Sequence, residues 1–128
     1  MPGETDLQKL LAGLQPHRHD GEYVFVTVDD AMGFERQDII CEFREEEGVT
    51  LVLPKHSADA LGLTYDFVAA WITLRVHSSL QAIGLTAAIA TALTEEQINC
   101  NVIAAYYHDH LFVDVRDAER AMQVLMDL

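Results

Sequence analysis

Apolar residues recur along the chain with two periods. Leu7, Leu10, Leu11 and Leu14 fall at i, i+3, i+4 and i+7, the apolar stripe of a short helix, and Thr5 with Gln8 has the form of a capping box at its start. Residues 15–21, with Pro16, His17, His19 and Gly21 among them, then break the chain. Residues 23–28 are β-branched and aromatic and predict a strand. Beyond a loop at 29–33, Ile39, Cys41 and Phe43 alternate with Ile40, Glu42 and Arg44, a half-exposed strand. Glu45, Glu46, Glu47 and Gly48 form a charged hairpin turn, and residues 49–53 return as its partner. Pro54 ends that strand, and Ser57 stands where it can cap a short helix stopped near Gly62.

The alternation resumes at 67–76. Val68, Ala70, Ile72, Leu74 and Val76 share one face; Phe67, Ala69, Trp71, Thr73 and Arg75 share the other. His77, Ser78 and Ser79 make a polar break, and a small-residue helix is predicted over 80–93. Gly84 lies inside that helix, where glycine costs ~1 kcal/mol against alanine, so a close backbone approach is expected there. Strands over 99–107 and 111–115 are joined by a turn at His108, Asp109 and His110, and a last helix buries Ala118, Ala121, Met122, Leu125 and Met126.

From Trp71 the order is β-α-β-β-α, a ferredoxin-like unit lacking its last strand, and the N-terminal half is incomplete in the same way. The expected fold is therefore α+β: two interlocked ferredoxin-like βαββαβ halves, residues 1–66 and 67–128, with antiparallel sheets and helices on one face. Each half lends a strand to the other's sheet.

Half of the residues are apolar, so a core is available to a chain of 128 residues. The net charge of −13 repels phosphate backbones and anionic lipid, so neither nucleic acid nor a membrane is an expected partner. The polar, acidic first residues do not form a signal peptide, and no apolar run approaches the roughly 20 residues that span a bilayer. With only Cys41 and Cys100 as thiols, a cytoplasmic setting is expected.

The segment from Val76 through His77, Ser78, Ser79, Leu80 and Gly84 to Leu93 resembles the first strand end and helix of an ACT domain, and 98–113 resembles the hairpin that follows. Glu22-Tyr-Val-Phe and the stretch from Phe43 to Leu53 fit as well, so that nearly the whole chain resembles a family of small stand-alone bacterial proteins with tandem ACT-like halves. The resemblance implies an amino acid or similar metabolite held where the first strand gives way to the helix. Carried over, the ligand-binding set is His77, Ser78, Ser79 and Leu80 in the loop, Gly84 and Leu85 on the helix, and Asn101, Tyr107, His108 and Asp109 on the facing hairpin. Gln97 departs from the pattern, standing where the family tends to have glycine.

Physical chemistry gives these positions a rationale. Free N–H groups at a helix start attract a carboxylate, although Ser78 or Ser79 also suits a plain N-cap. Asp109 can pair with an ammonium group, although it is also an ordinary turn residue. His108, Asp109 and His110 offer metal-ligand chemistry, but nothing in the sequence gathers a third element, and no metal or cofactor is assigned. His17 and His19 are expected in solvent, and Cys41 and Cys100 as small hydrophobes. Adjacent His77 and Ser78 point to opposite sides of a strand end, against a Ser-His-Asp triad. The expected protein is a non-enzymatic, homodimeric or larger regulatory binder of a small metabolite. A small metal-dependent or His-based enzyme and a protein-interaction module are the rival readings.

Overall fold

The computed structural model describes residues 6–75 and 84–128. In chain order its helices are α1 (Leu7–Ala12), α2 (Lys55–Ala60), α3 (Leu85–Glu95) and α4 (Ala118–Met126). Its strands are β1 (Pro16–Arg18), β2 (Tyr23–Val28), β3 (Cys41–Arg44), β4 (Val49–Pro54), β5 (Val68–Leu74), β6 (Cys100–Ala104) and β7 (Asp109–Asp114). The chain forms two compact units, Met1–His19 with Ala70–Leu128, and Asp20–Ala69.

In the larger unit the strands lie in the order β1-β5-β7-β6. β6 pairs antiparallel with β7, Cys100 opposite Val113 and Ala104 opposite Asp109. β1 pairs antiparallel with β5, Pro16 opposite Leu74 and Arg18 opposite Ile72. This is the ferredoxin-like order with β5, β6 and β7 as first, second and third strands and β1, from the N-terminal segment, in the fourth place. Ala70, Ile72, Leu74, Leu111 and Val113 form the helix-side face, and they are buried with Leu10 of α1, Leu85, Ile89 and Leu93 of α3, and Ala118, Ala121 and Leu125 of α4. Burial of each larger aliphatic chain contributes roughly 1.5–3 kcal/mol.

The smaller unit repeats the plan. β2 pairs antiparallel with β4, β4 with β3, and the first residues of β5 with β2, Tyr23 opposite Ala69 and Val24 opposite Val68. The order is again second, third, first, fourth, with the fourth strand taken from the start of β5. A single 3-10 turn, Arg36–Asp38, stands in place of the first helix, and α2 is the second. Val24, Val26, Leu51, Leu53 and Ala58 make the core. Each unit thus takes its fourth strand from across the midpoint of the chain, as the two incomplete halves of the sequence imply.

Several local expectations are corrected. Residues 16–18 form β1 rather than a break, because His17 and Arg18 find ladder partners on β5. Asp6 caps α1, accepting from the backbone N–H of Gln8 at 3.0 Å and Lys9 at 3.4 Å; the expected partner Thr5 lies outside the described residues. α2 begins directly after Pro54, two residues ahead of Ser57. Gly84 is the N-cap of α3, not an interior residue, and its φ of +92° explains the glycine. Met126 is 57% exposed, because the buried stripe of α4 runs through 118, 121 and 125 and leaves its neighbour outside.

Candidate functional site

The hairpin between β6 and β7 turns two residues earlier than its sequence suggests. The N–H of Ala105 donates to the carbonyl of His108 at 3.1 Å, which puts Tyr106 and Tyr107 at the tip, both well exposed. Asp109 and His110 are therefore strand residues, and alternation sends them to opposite faces. Asp109 shares the helix-side face with Leu111 and Val113. It is only 8% exposed, and among the described residues its carboxylate has neither an ion pair nor a hydrogen bond. Burial pushes its pKa up, with neighbouring His110 and His108 pulling the other way. Nδ1 of His108 is likewise buried with no partner among the described residues.

Thr73 Oγ1 lies 3.0 Å from His110 Nδ1, and the Trp71 ring stacks over Phe112 with centroids 6.3 Å apart. These contacts set the C-terminal end of β5 beside the N-terminal end of β7. The chain leaves β5 at Leu74 and enters α3 at Gly84, which offers the helix no side-chain cap. The first N–H groups of α3 are the kind that bind an anionic oxygen.

Of the ten residues expected to bind ligand, His77, Ser78, Ser79 and Leu80 lie outside the described residues. Gly84 and Leu85 open α3, but the Leu85 side chain is in the core, so its backbone N–H is what it offers. Tyr107, His108 and Asp109 follow one another along the hairpin. Asn101 sits opposite Phe112, on the face away from Asp109, and its Nδ2 donates to the Phe112 carbonyl at 3.4 Å.

The second face of this sheet holds a cluster that the sequence conceals. His19, expected in solvent, stacks on Trp71 with centroids 3.5 Å apart and planes 11° from parallel, and His17 meets its edge at 4.7 Å. Nε2 of His19 is 2.7 Å from Thr73 Oγ1, and Trp71 Nε1 donates to His110 Nδ1 at 3.1 Å. The signal was the i, i+2 spacing of His17 and His19, which only pairing with Trp71 and Thr73 makes meaningful. Burial lowers the pKa of His110, with His108 adding to the effect and Asp109 opposing it.

No group of three or more His, Cys, Asp or Glu among the described residues is arranged to hold a metal ion. Cys41 and Cys100 are half-buried free thiols whose pKa values are raised by burial. In the smaller unit a cavity of about 340 Å³ opens between Phe34, Asp38, Leu53, His56 and Leu61. No helix among the described residues is long and apolar enough to cross a membrane.

Strand order and helix placement define a pair of ferredoxin-like α+β units. An ACT domain family matches residues 2–70 and another form of it matches residues 67–127. The chain belongs to the ACT domain family. ACT domains typically bind amino acids in a regulatory role. Among solved structures the chain is similar to a Vibrio cholerae protein of unknown function described as a possible transport protein, with 46% identity over 94% of each chain and a TM-score of 0.85. It shares its fold with a protein from Agrobacterium tumefaciens, at 14% identity over 89% of this chain and 87% of that one, with a TM-score of 0.62. It also shares it with the allosteric aspartate kinase of Clostridium acetobutylicum, at 15% identity over 90% of this chain and 34% of the kinase, with a TM-score of 0.61. No curated protein matches the chain.

Proposed function

We propose that this protein is a non-enzymatic regulatory sensor of an amino acid, acting in the cytoplasm as a homodimer or larger assembly. Its two ACT-like halves are residues 1–66 and 67–128. The observation that carries the reading is Asp109, a residue only 8% exposed whose carboxylate has no hydrogen bond or ion pair among the described residues. Such a group is costly unless a partner arrives. An ammonium group is that partner, and the start of α3, to which Gly84 gives no side-chain cap, suits the α-carboxylate of the same ligand. His77, Ser78, Ser79 and Leu80 complete the proposed site from the β5–α3 connection. Gly84 and Leu85 supply backbone, and Tyr107 and His108 supply the wall beside Asp109. Asn101, across the sheet, contributes to the hairpin's shape rather than to contact.

The test is a thermal-shift screen of the purified chain against the proteinogenic amino acids, followed by calorimetry on any that stabilise it. A ligand at 100 times its Kd adds about 2.7 kcal/mol of stability. The expected result is that one amino acid or one side-chain class raises the melting temperature, and that Asp109→Asn abolishes the shift while staying folded. No shift with any amino acid at millimolar concentration would refute the sensor reading. A full shift in Asp109→Asn would refute the ammonium assignment.

A further inference from the structure

The outer strand of the smaller unit has an edge that complements itself. β3 ends that sheet and pairs with β4 alone among the described residues. The β3–β4 hairpin closes with Glu45 and Gly48 exchanging N–H to carbonyl bonds, at 2.9 and 3.4 Å. Antiparallel pairs alternate between exchanging such bonds and not, so Phe43 with Thr50 and Cys41 with Val52 are the bonded pairs. The backbone N–H and C=O groups of Glu42 and Arg44 therefore point away from β4, where no strand among the described residues meets them. The side chains at this edge are unspent as well. Phe43 is 67% exposed, whereas the other phenylalanines are partly or fully buried. Glu42 and Arg44 share the helix-side face, opposite Leu51 and Val49. Arg36 donates to Oε1 of Glu42 at 2.7 Å and leaves Oε2 open, and Arg44 has no ion pair among the described residues.

We infer that β3 is the contact edge of a homodimer, with the β3 strands of two copies paired antiparallel about a two-fold axis at Phe43. The outward backbone groups restrict the register, because only residues 42 and 44 can exchange hydrogen bonds with a second edge. A pair centred on Glu42 sets two carboxylates opposite each other, and one centred on Arg44 sets two guanidinium groups opposite each other; like charges directly across a ladder are destabilising. Centring on Phe43 sets Glu42 against Arg44 of the partner subunit twice, with the open Oε2 as acceptor, and brings the two exposed phenylalanine rings together at the non-bonded position, where side chains lie closest. β6, the outer strand of the larger unit, carries no charged residue to fix a register. Strands of four residues make a contact smaller than the roughly 800 Å² per partner of a standard interface, so the association is weak and depends on concentration. The net charge of −13 on each copy opposes it, but at physiological ionic strength repulsion is screened beyond about 8 Å, and directly opposed residues lie nearer than that. The inference rests on the homodimer of the proposed function and not on an amino-acid ligand.

The experiment uses the full chain without ligand. In sedimentation velocity at physiological ionic strength, the 14.3 kDa chain should gain mass towards a dimer as its concentration rises into the millimolar range. Arg44→Glu, which turns both attractive pairs into repulsive ones, should weaken association about tenfold, and combining it with Glu42→Arg should recover most of the loss. A chain that stays monomeric at millimolar concentration overturns this inference and the homodimer reading together. A dimer indifferent to Arg44→Glu overturns the edge and leaves the homodimer standing. Disulfide trapping reads the register independently, in a chain carrying Cys41→Ser and Cys100→Ser. Phe43→Cys sets two Cα atoms about 4.5 Å apart across the axis, within disulfide reach, whereas Glu42→Cys and Arg44→Cys leave like positions about 8–9 Å apart. Oxidation should trap a dimer at 43 and at neither neighbour. Trapping at 42 or 44, or none at 43, overturns the inference, and this readout decides the matter if Arg44→Glu does not fold.

Discussion

Replacing Gln97 with glycine should stabilise the protein, although no contact is gained. α3 ends at Glu95, and the chain then closes with the Gln97 N–H donating to the Thr94 carbonyl at 2.8 Å and the Ile98 N–H to the Leu93 carbonyl at 2.9 Å. This 5→2 and 6→1 pair is a Schellman motif, sealed by Ile98 and Leu93 meeting in the core. The motif demands a left-handed residue after the cap, and Gln97 supplies it at φ +60°, the only positive φ outside glycine among the described residues. A side chain held there costs ~1–2 kcal/mol through its Cβ. Glycine removes that cost but brings back ~0.5–1 kcal/mol of unfolded-state entropy. The Gln97 side chain is exposed and forfeits little. The net gain is therefore about 0.5–1 kcal/mol, or roughly 2–5 °C in Tm for a chain of this size. Urea unfolding followed by circular dichroism should show a higher midpoint with an unchanged m value. Gln97→Ala is the control and should leave the midpoint where it is. If alanine stabilises as much as glycine, or glycine does not stabilise at all, backbone strain at this position is not the cause.

Gly48→Ala should cost about 1–3 kcal/mol, read from the same urea midpoint, because a Cβ there would lie 2.9 Å from the Val28 carbonyl oxygen and 3.0 Å from Thr27 Oγ1. Asp109→Asn should raise the stability of the ligand-free protein at pH 7 by about 1 kcal/mol, since it removes a buried charge with no hydrogen bond or ion pair among the described residues. A carboxyl whose pKa is raised on folding favours the folded state below its unfolded pKa and loses that contribution as pH rises through the folded one. The gap between variant and parent should therefore close as pH falls towards 3.8, seen in denaturation midpoints at pH 7 and 4. A chain cut to residues 67–128 should give no well-dispersed monomeric NMR spectrum, because it lacks α1 and β1, and adding residues 1–66 should restore one.

The larger features were legible because they rest on periodicity. Alternation at 68–74 separates the core residues Ala70, Ile72 and Leu74 from Trp71 and Thr73, and that division is the division of the sheet's two faces. The missing fourth strands were legible as a count. What escaped was set by tertiary pairing. Pro16, His17 and Arg18 carry no strand propensity of their own and become β1 only because β5 presents an edge to them. The turn at 105–108 was displaced because two tyrosines read as strand residues, although the Ala105–His108 hydrogen bond puts them at the tip. Gly84 was legible as a residue needing a reason, but the reason was a backbone angle and not close packing.

The one-residue character of strand alternation decides what the candidate site can do. Placed in a turn, His108, Asp109 and His110 would form a single polar tip open to solvent. On β7 they are divided: Asp109 is buried towards the helices with no partner among the described residues, and His110 is wired into Trp71, Thr73 and His19 on the other side. If the proposed ammonium group binds at Asp109, two neighbouring residues expose one strand to two inputs, a cation at Asp109 and a proton at His110. The charges have the same sign and are adjacent along the backbone, so each disfavours the other, and by linkage the penalty is equal in both directions. A ligand bearing an ammonium group would favour neutral His110, and acid would weaken the ligand. The register of the hairpin, shifted by two residues from its sequence appearance, is what makes that coupling physically available.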